Sequence, residues 1–323
     1  MRIRRELAAR NRFDGNALEV GGQLVTVNGG QLTSESFLPN TVRHFREQKI
    51  GGHELMVGME ERANGAGKST AMKVLLNLQR GAAGRAEVFG LDTISRGPEV
   101  RAQIGYIPES HEHDYAWLTC GHLIRHVAAH YPAWDHAYAA RLIEVFGVRA
   151  ERKVRTLSKG ESRRLQFVLA LAHRPALLLL DEPTDGLDPV VRNRTLTHLA
   201  EHLADTPTTV MIATHHIHEV ESLADHVGVL SAGRLVAQMS RDELRRTVRR
   251  YRVEVPEGWE PPAELRTRSP RRSRGGRELQ WTLAGEERDV TARLTAAGAT
   301  IREVAPLALE DAALAFLSEE GTP

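Results

Sequence analysis

Cysteine is nearly absent. Cys120 is the single one in 323 residues, so no disulfide can form within the chain and a reducing compartment is expected. No long apolar run exists either. Spanning a bilayer takes roughly 20 apolar residues, and the best stretch, Leu165 to Leu180, is interrupted by His173, Arg174 and Pro175. The charged start, Met1-Arg2-Ile3-Arg4-Arg5-Glu6, leads into no apolar segment of the kind a signal peptide needs, so a soluble chain is expected. Net charge is also missing: 43 Lys and Arg against 42 Asp and Glu give +1 and no global attraction to nucleic acid or anionic lipid. No internal repeat is visible.

From about residue 70 to 240, helical and strand patterns alternate, which predicts an α/β fold with a largely parallel sheet. Thr70 to Gln79 reads as a helix. Ile104 to Ile107 reads as a short strand stopped by Pro108, and Trp117 to about Val148 as helix broken at Pro132. Glu161 to His173 is a further helix, and Ala176 to Asp181 a fully buried strand. Thr208 to Thr214 and Val227 to Ser231 follow as strands. Ser240-Arg241-Asp242-Glu243 predicts a capping box opening a helix to about Arg250.

Gly258 to Gly276, rich in Pro, Arg and Ser, reads as a linker. The six arginines between Arg266 and Arg277 could face an anionic partner, but no aromatic residues interleave for stacking, which favours a solvated loop. Beyond it, strand (Glu278 to Leu283), helix (Glu286 to Ala297), strand (Thr300 to Val304) and helix (Ala308 to Ser318) suffice for a small α+β domain.

Three segments carry chemistry. In Asn64-Gly65-Ala66-Gly67-Lys68-Ser69-Thr70, glycines allow successive backbone N–H groups to wrap a phosphate. Lys68 then supplies a point charge and Ser69 a Mg²⁺ ligand, with a helix N-terminus behind them. A plain Gly-rich turn is the alternative for this segment alone. Four leucines, Leu177 to Leu180, bury a strand that delivers Asp181 and Glu182 to the sheet's carboxyl edge. There Asp181 is suited to Mg²⁺ and Glu182 to activating water as a general base; a solvated acid pair is the alternative. Ser158 and Gly160, in Leu157-Ser158-Lys159-Gly160-Glu161, open a helix whose N-terminus suits a phosphate, and an ordinary N-cap serine explains them equally well in isolation.

Order separates these readings. The Ser-x-Gly turn is followed at once by helix, Arg174-Pro175, buried strand and Asp-Glu, with Thr214-His215 downstream on another apolar strand. This succession resembles the ATPase subunit of an ATP-binding cassette (ABC) transporter over about residues 65 to 240. The resemblance implies a phosphate-loop core with an inserted helical subdomain at about 110–175, within a nucleotide-binding domain spanning 1–240, and a C-terminal accessory domain over 241–323. It implies ATP and Mg²⁺ as ligands, with Asn64, Gly65, Ala66, Gly67, Lys68, Ser69 and Thr70 on the phosphates. Ser69, Asp181 and Glu109 would hold the metal. Glu109 stands where the family usually has glutamine, and its oxygen can serve Mg²⁺ or the lytic water. Glu182 would be the catalytic base, ordered by His215. Ser158, Gly160 and Glu161 would close over nucleotide held by a second copy, with Asp188 joining the two sites.

The resemblance further implies an exporter-type subunit working as a homodimer on separate integral membrane permease subunits. It would sit peripherally on the cytoplasmic face, with no nucleic-acid partner. Two other classes remain: a soluble cassette ATPase acting on ribosomes or DNA, which usually carries two cassettes or inserts not seen here, and a degenerate, non-hydrolysing regulatory subunit. His122, His126 and His130 lie on one helix face, and His216 and His218 crowd His215, but no cysteine or carboxylate set at ligand spacing accompanies them, so a solvated face accounts for them better than zinc.

The pattern breaks upstream. Arg62 stands where a full phosphate loop has glycine, Glu60 and Glu61 replace an apolar strand end, and Phe37 and Phe45 are weak candidates for stacking adenine. Ala17-Leu18-Glu19-Val20 resembles the family's first strand, and the match resumes at Asn64, which points either to a locally frameshifted stretch over about 21–63 or to genuine divergence.

Overall fold

The computed structural model describes residues 17–20, 23–28, 54–55, 67–81, 84–111, 114–231, 233–261, 271–272 and 278–316. Its centre is a parallel three-stranded sheet of β6 (Ile104–Ile107), β7 (Leu177–Asp181) and β8 (Thr209–Ala213), in that order. Strand β3 (Glu54–Leu55) lies against β8 and pairs in parallel with β9 (His226–Ser231), which runs antiparallel to β10 (Arg234–Ser240). A side sheet, β1 (Ala17–Val20), β2 (Gln23–Asn28), β4 (Arg85–Val88) and β5 (Leu91–Asp92), is antiparallel throughout. The largely parallel sheet expected from the alternation is therefore the centre of the fold, flanked by antiparallel strands.

Successive side chains on a strand face opposite sides, so a strand covered on both faces reads as an unbroken apolar run. In β7, Leu178 and Leu180 enter one core cluster and Leu177 and Leu179 another. In β8, Val210 and Ile212 join the first, and Met211 and Ala213 the second. The second face is covered by α1 (Lys68–Leu75), through Met72 and Leu75. The short α2 (Gly97–Arg101) adds Val100 to that layer.

Between β6 and β7 the chain inserts α3 (Cys120–Ala128), α4 (His136–Val145) and α5 (Lys159–Leu171). Thr119 and Asp135 cap the first two, each accepting a backbone N–H three residues on. Helix α5 lies very close to β6. A Cβ at Gly105 would stand 2.3 Å from the Ala170 carbonyl oxygen, so glycine is required where they touch. At the end of α5, His173 is buried, stacked on Tyr131 at 4.0 Å and bonded to the Ile104 carbonyl.

Downstream come α6 (Pro189–Asp205), α7 (Ile217–Val220) and α8 (Arg241–Thr247). The helix expected to reach Arg250 stops at Thr247, and Val248–Glu254 is a strand, β11. Tertiary pairing overrides local propensity here, because β11 bonds on both sides, to β13 (Glu278–Ala284) and β14 (Thr300–Pro306). Arg271–Arg272, expected as linker, forms β12 on the edge of the same sheet. Phe37, Phe45 and Arg266 lie outside the described residues.

Trp281, Tyr251 and Val253 on this sheet pack with Val290 and Leu294 of α9 (Glu287–Ala296) as a separate small core. The last described helix, α10 (Leu309–Leu314), turns back against α7 and α8, where Leu309, Ala312 and Ala313 share the main core with Ile217 and Val220. His218 and Glu310 pair across this contact at 3.3 Å. Among the described residues no helix is long and apolar enough to cross a membrane.

Burial pushes the His173 imidazole down to about 4, against the opposing pull of the Ile104 and Leu169 carbonyls. The folded chain keeps this ring neutral while the unfolded chain protonates it near its ordinary value of about 6.5. Its contribution is thus complete above pH about 6.5 and lost as pH falls towards 4, at up to about 1.4 kcal/mol per pH unit. In denaturant titrations from pH 7 to 4.5, His173→Gln should flatten this acid limb. An unchanged slope would overturn the assignment.

Candidate functional site

Strand β7 ends in two acids with opposite surroundings. Glu182 takes a left-handed backbone, φ 47°, which costs a non-glycine residue about 1–2 kcal/mol. Its N–H still bonds the Ala213 carbonyl at 2.8 Å, so the turn swings its side chain towards the end of β8. There the carboxylate accepts from the Thr214 hydroxyl at 2.9 Å, the His215 backbone N–H at 3.1 Å and, at 2.8 Å, pairs with His215 Nδ1. Glu182 is buried, while the His215 ring is half-exposed and packs on His216 at 3.7 Å. Thr214, His215 and Glu182 are thus brought together at the ends of the two strands.

Asp181 is almost wholly buried, and neither carboxylate oxygen meets a partner at good hydrogen-bond geometry, although the Ser69 hydroxyl faces them. Burial pushes its carboxyl above the usual range. The Ser69 hydroxyl pulls the other way, and the charges of Glu109 and Glu182 push it further up. The nearby Tyr106 hydroxyl, also buried, is raised for the same reasons, burial first and Asp181 next. A buried carboxylate short of donors, facing a hydroxyl on a helix N-terminus, is the donor set a hard divalent cation such as Mg²⁺ fits.

Ser69 and Lys68 stand in the first turn of α1. Gly67, at φ 92°, makes the left-handed entry to that helix and is followed directly by Lys68. Gly67, Lys68, Ser69 and Thr70 are all partly exposed at this end of the sheet. Arg62, Asn64, Gly65 and Ala66 lie outside the described residues.

Ser158 caps α5, and Glu161 completes a reciprocal capping box with it: Glu161 N–H donates to the Ser158 hydroxyl and Ser158 N–H to the Glu161 carboxylate. Glu161 also pairs with Arg152 at 2.5 Å, and these contacts, the Ser158 N–H foremost, hold its carboxyl below the usual range. Asp188 caps α6 by accepting from Val190 and Val191 N–H, both at 3.1 Å. The structure thus gives both Glu161 and Asp188 helix-capping partners within the chain. Ser158 itself is exposed, and Gly160 abuts the turn at Gly186 and Leu187.

Two groups escaped the sequence reading. Arg163, Ser162 and Gln166 on α5 hold the loop that carries Glu109. Arg163 is fully buried and donates to the carbonyls of Pro108 at 2.6 Å and Glu109 at 3.0 Å. Their spacing along one helix face was the available signal, since polar residues facing a core need partners. On the other side, Glu219 of α7 accepts from the Thr184 hydroxyl at 2.6 Å and pairs with Arg192 at 2.5 Å. Arg192 also reaches the Leu187 carbonyl, so the turn after Glu182 and the helix after His215 share one partly buried network.

The histidines of α3 and the segment after it meet partners nearby in the chain. His122 bonds Thr119, His130 bonds the His126 carbonyl, and His126 packs edge-on against Tyr115. Among the described residues no group of three or more His, Cys, Asp or Glu is placed to hold a metal ion.

Ionised Asp181 is an expense the fold carries at neutral pH. In unfolding experiments without nucleotide at pH 7.5, Asp181→Asn should be more stable than the parent by about 1–3 kcal/mol. The gain should shrink as pH falls, because burial favours the protonated acid in the folded parent. A less stable variant at pH 7.5 would refute the charge-burial account.

Comparison with known proteins agrees with this geometry. Residues 62–185 match the family model described as ABC transporter. The ABC transporter ATP-binding protein YtrB of Bacillus subtilis (strain 168) is 32% identical over 182 residues, covering 56% of this chain and 62% of the relative. The daunorubicin/doxorubicin resistance ATP-binding protein DrrA of Streptomyces peucetius is 36% identical over 186 residues, 56% of each chain. This chain therefore spans less than two thirds of the length of either relative. Among solved structures, an ATP binding subunit of an ABC transporter superposes with a TM-score of 0.60 at 27% identity, covering 69% of this chain and 92% of that one. Residues 62–185 are thus similar to the ATP-binding domains of ABC transporters, and the fold around them is that of an α/β phosphate-loop ATPase.

Proposed function

We propose that this chain is the ATP-hydrolysing subunit of an exporter-type ABC transporter. The observation that carries the reading is the pair at the end of β7: Glu182 held by three donors from Thr214 and His215, beside an Asp181 that lacks them. A general base must be aimed, and donors that fix both oxygens of Glu182 aim it at the attacking water. Ser69, Asp181 and Glu109 hold Mg²⁺, and Lys68 with the amides around Gly67 grips the phosphates. The bound ion supplies Lewis-acid stabilisation of charge on the phosphoryl oxygens. His215, half-exposed, keeps Glu182 oriented and meets the terminal phosphate.

The exposed Ser158 and the helix N-terminus behind it offer a second phosphate contact, which a second copy of the chain supplies with nucleotide. The working unit is thus a homodimer, with Glu161 and Asp188 shaping the facing turns from within. A membrane subunit docks near the Glu109 loop. Just beyond that loop Trp117 is 65% exposed and meets Tyr115, itself 40% exposed, in an edge contact. Exposed aromatics of this size are anchors of the kind partner surfaces use. The chain then sits peripherally on the inner membrane face, with residues 1–240 as nucleotide-binding domain and 241–323 as accessory domain. Resistance to daunorubicin and doxorubicin, and the transport named for bacitracin proteins in Bacillus licheniformis, belong to the relatives; export of a small molecule is what they support here.

Glu182→Gln should lower ATP turnover on the order of 10²–10⁴-fold while leaving ATP affinity within a few-fold. Phosphate release and equilibrium nucleotide binding measure the two sides. Parental turnover in the variant would remove Glu182 from the base role, and a parent that binds ATP but never releases phosphate would make the chain a binding subunit instead.

A further inference from the structure

The loop after β6 leaves regular structure at Pro108, so its carbonyls lose their sheet partners just where the chain reaches the site. Four consecutive carbonyls are taken up by one face of α5. Arg163 donates to Pro108 at 2.6 Å and Glu109 at 3.0 Å, Gln166 Nε2 to Ser110 at 2.9 Å, and the Ser162 hydroxyl to His111 at 2.7 Å. Arg163 and Gln166 are bonded to each other as well, at 3.0 Å. These three side chains fall at successive and one-turn spacing, so a single rigid helix face reaches all four residues of the loop.

Arg163 is the keystone. Its side chain is fully buried, a position arginine holds only when paired. The paired groups here are neutral carbonyls, while the offsetting negative charge comes from Asp185, Asp181, Glu109 and Glu182 around it. A buried cation thus stands among the acids of the site, on the helix that begins with the Ser158 turn.

We propose that Arg163 is a positioning residue that locks the Glu109 loop to helix α5, so that displacement of the Ser158 turn moves Glu109 relative to Asp181. This rests on the reading above, in which Ser158 meets a second copy's nucleotide and Glu109 serves the metal of its own. Closure at one nucleotide then adjusts the metal ligands at the other through a connection about one helix turn long. The Glu-for-Gln departure at Glu109 finds its local counter-charge in the same residue.

The test uses the full chain with Arg163→Gln, the milder Arg163→Lys and Ser162→Ala, and Glu109→Gln alone and combined with Arg163→Gln. Amide hydrogen exchange without nucleotide should rise at least tenfold at Glu109, Ser110 and His111 in Arg163→Gln, and less in Arg163→Lys and Ser162→Ala. In steady-state hydrolysis, the Mg²⁺ concentration for half-maximal rate should rise about tenfold in Arg163→Gln. The double variant should fall within about twofold of Arg163→Gln, because both changes act on one metal ligand. Unchanged exchange at those amides, or full additivity in the Mg²⁺ dependence, would overturn the proposal. Should Arg163→Gln fail to fold, the same exchange comparison on Arg163→Lys and Ser162→Ala decides it. The exchange arm needs no turnover, so an inactive parent would sink the hydrolytic reading while leaving the locking of the loop to be judged by itself.

Discussion

Two neighbouring carboxylates at the end of a strand cannot both be satisfied by the same surroundings, and this chain separates them by a single backbone reversal. The left-handed turn at Glu182 sends its side chain across to Thr214 and His215, while Asp181 stays in line with β7, buried and facing Ser69. One acid is held in place by donors from Thr214 and His215. The other has its carboxyl pushed above the usual range by burial and by the charge of its neighbours. Such a division is stable only because β7 and β8 are covered on both faces and cannot shift to relieve it. Strain and unpaired charge gather here, at the end of β7.

The elements around this pair are tied to it in two directions. Towards α5, Arg163, Ser162 and Gln166 gather the Glu109 loop. Towards α7, Glu219 joins Thr184 and Arg192 in a network with little exposure. Helix α7 is also the surface on which α10 packs, so the C-terminal strands and helices meet the main core beside the residues that follow His215. The accessory part is therefore not a remote appendage: Leu244, Leu309 and Ala312 share their burial with Ile217 and Val220.

Much of this was legible beforehand. Apolar runs ending in Asp181 and in Thr214 located β7 and β8 to within a residue, because burial on two faces leaves no other composition possible. The Ser158 turn, the Lys68 loop and the order of both against the strands pointed to the family. Less legible were β11 and β12, whose strands exist through partners far along the chain, and the helix end at Thr247, which a capping signal at Ser240 cannot fix. Arg163 and Arg164 are neighbours in the sequence, and only the fold shows Arg163 to be among the most completely buried side chains.

The residue order alone determined the periodicities, the glycine entry before Lys68 and the presence of acids after four leucines, since these follow from local sterics and from which side chains water excludes. Only the tertiary structure decided that Glu182 is paired and Asp181 is not, that Glu161 and Asp188 spend their carboxylates on helix ends, and that Arg163 grips a loop some 54 residues upstream. The reason is physical: a side chain's charge, partners and freedom depend on what is packed against it, and distance along the chain does not encode that.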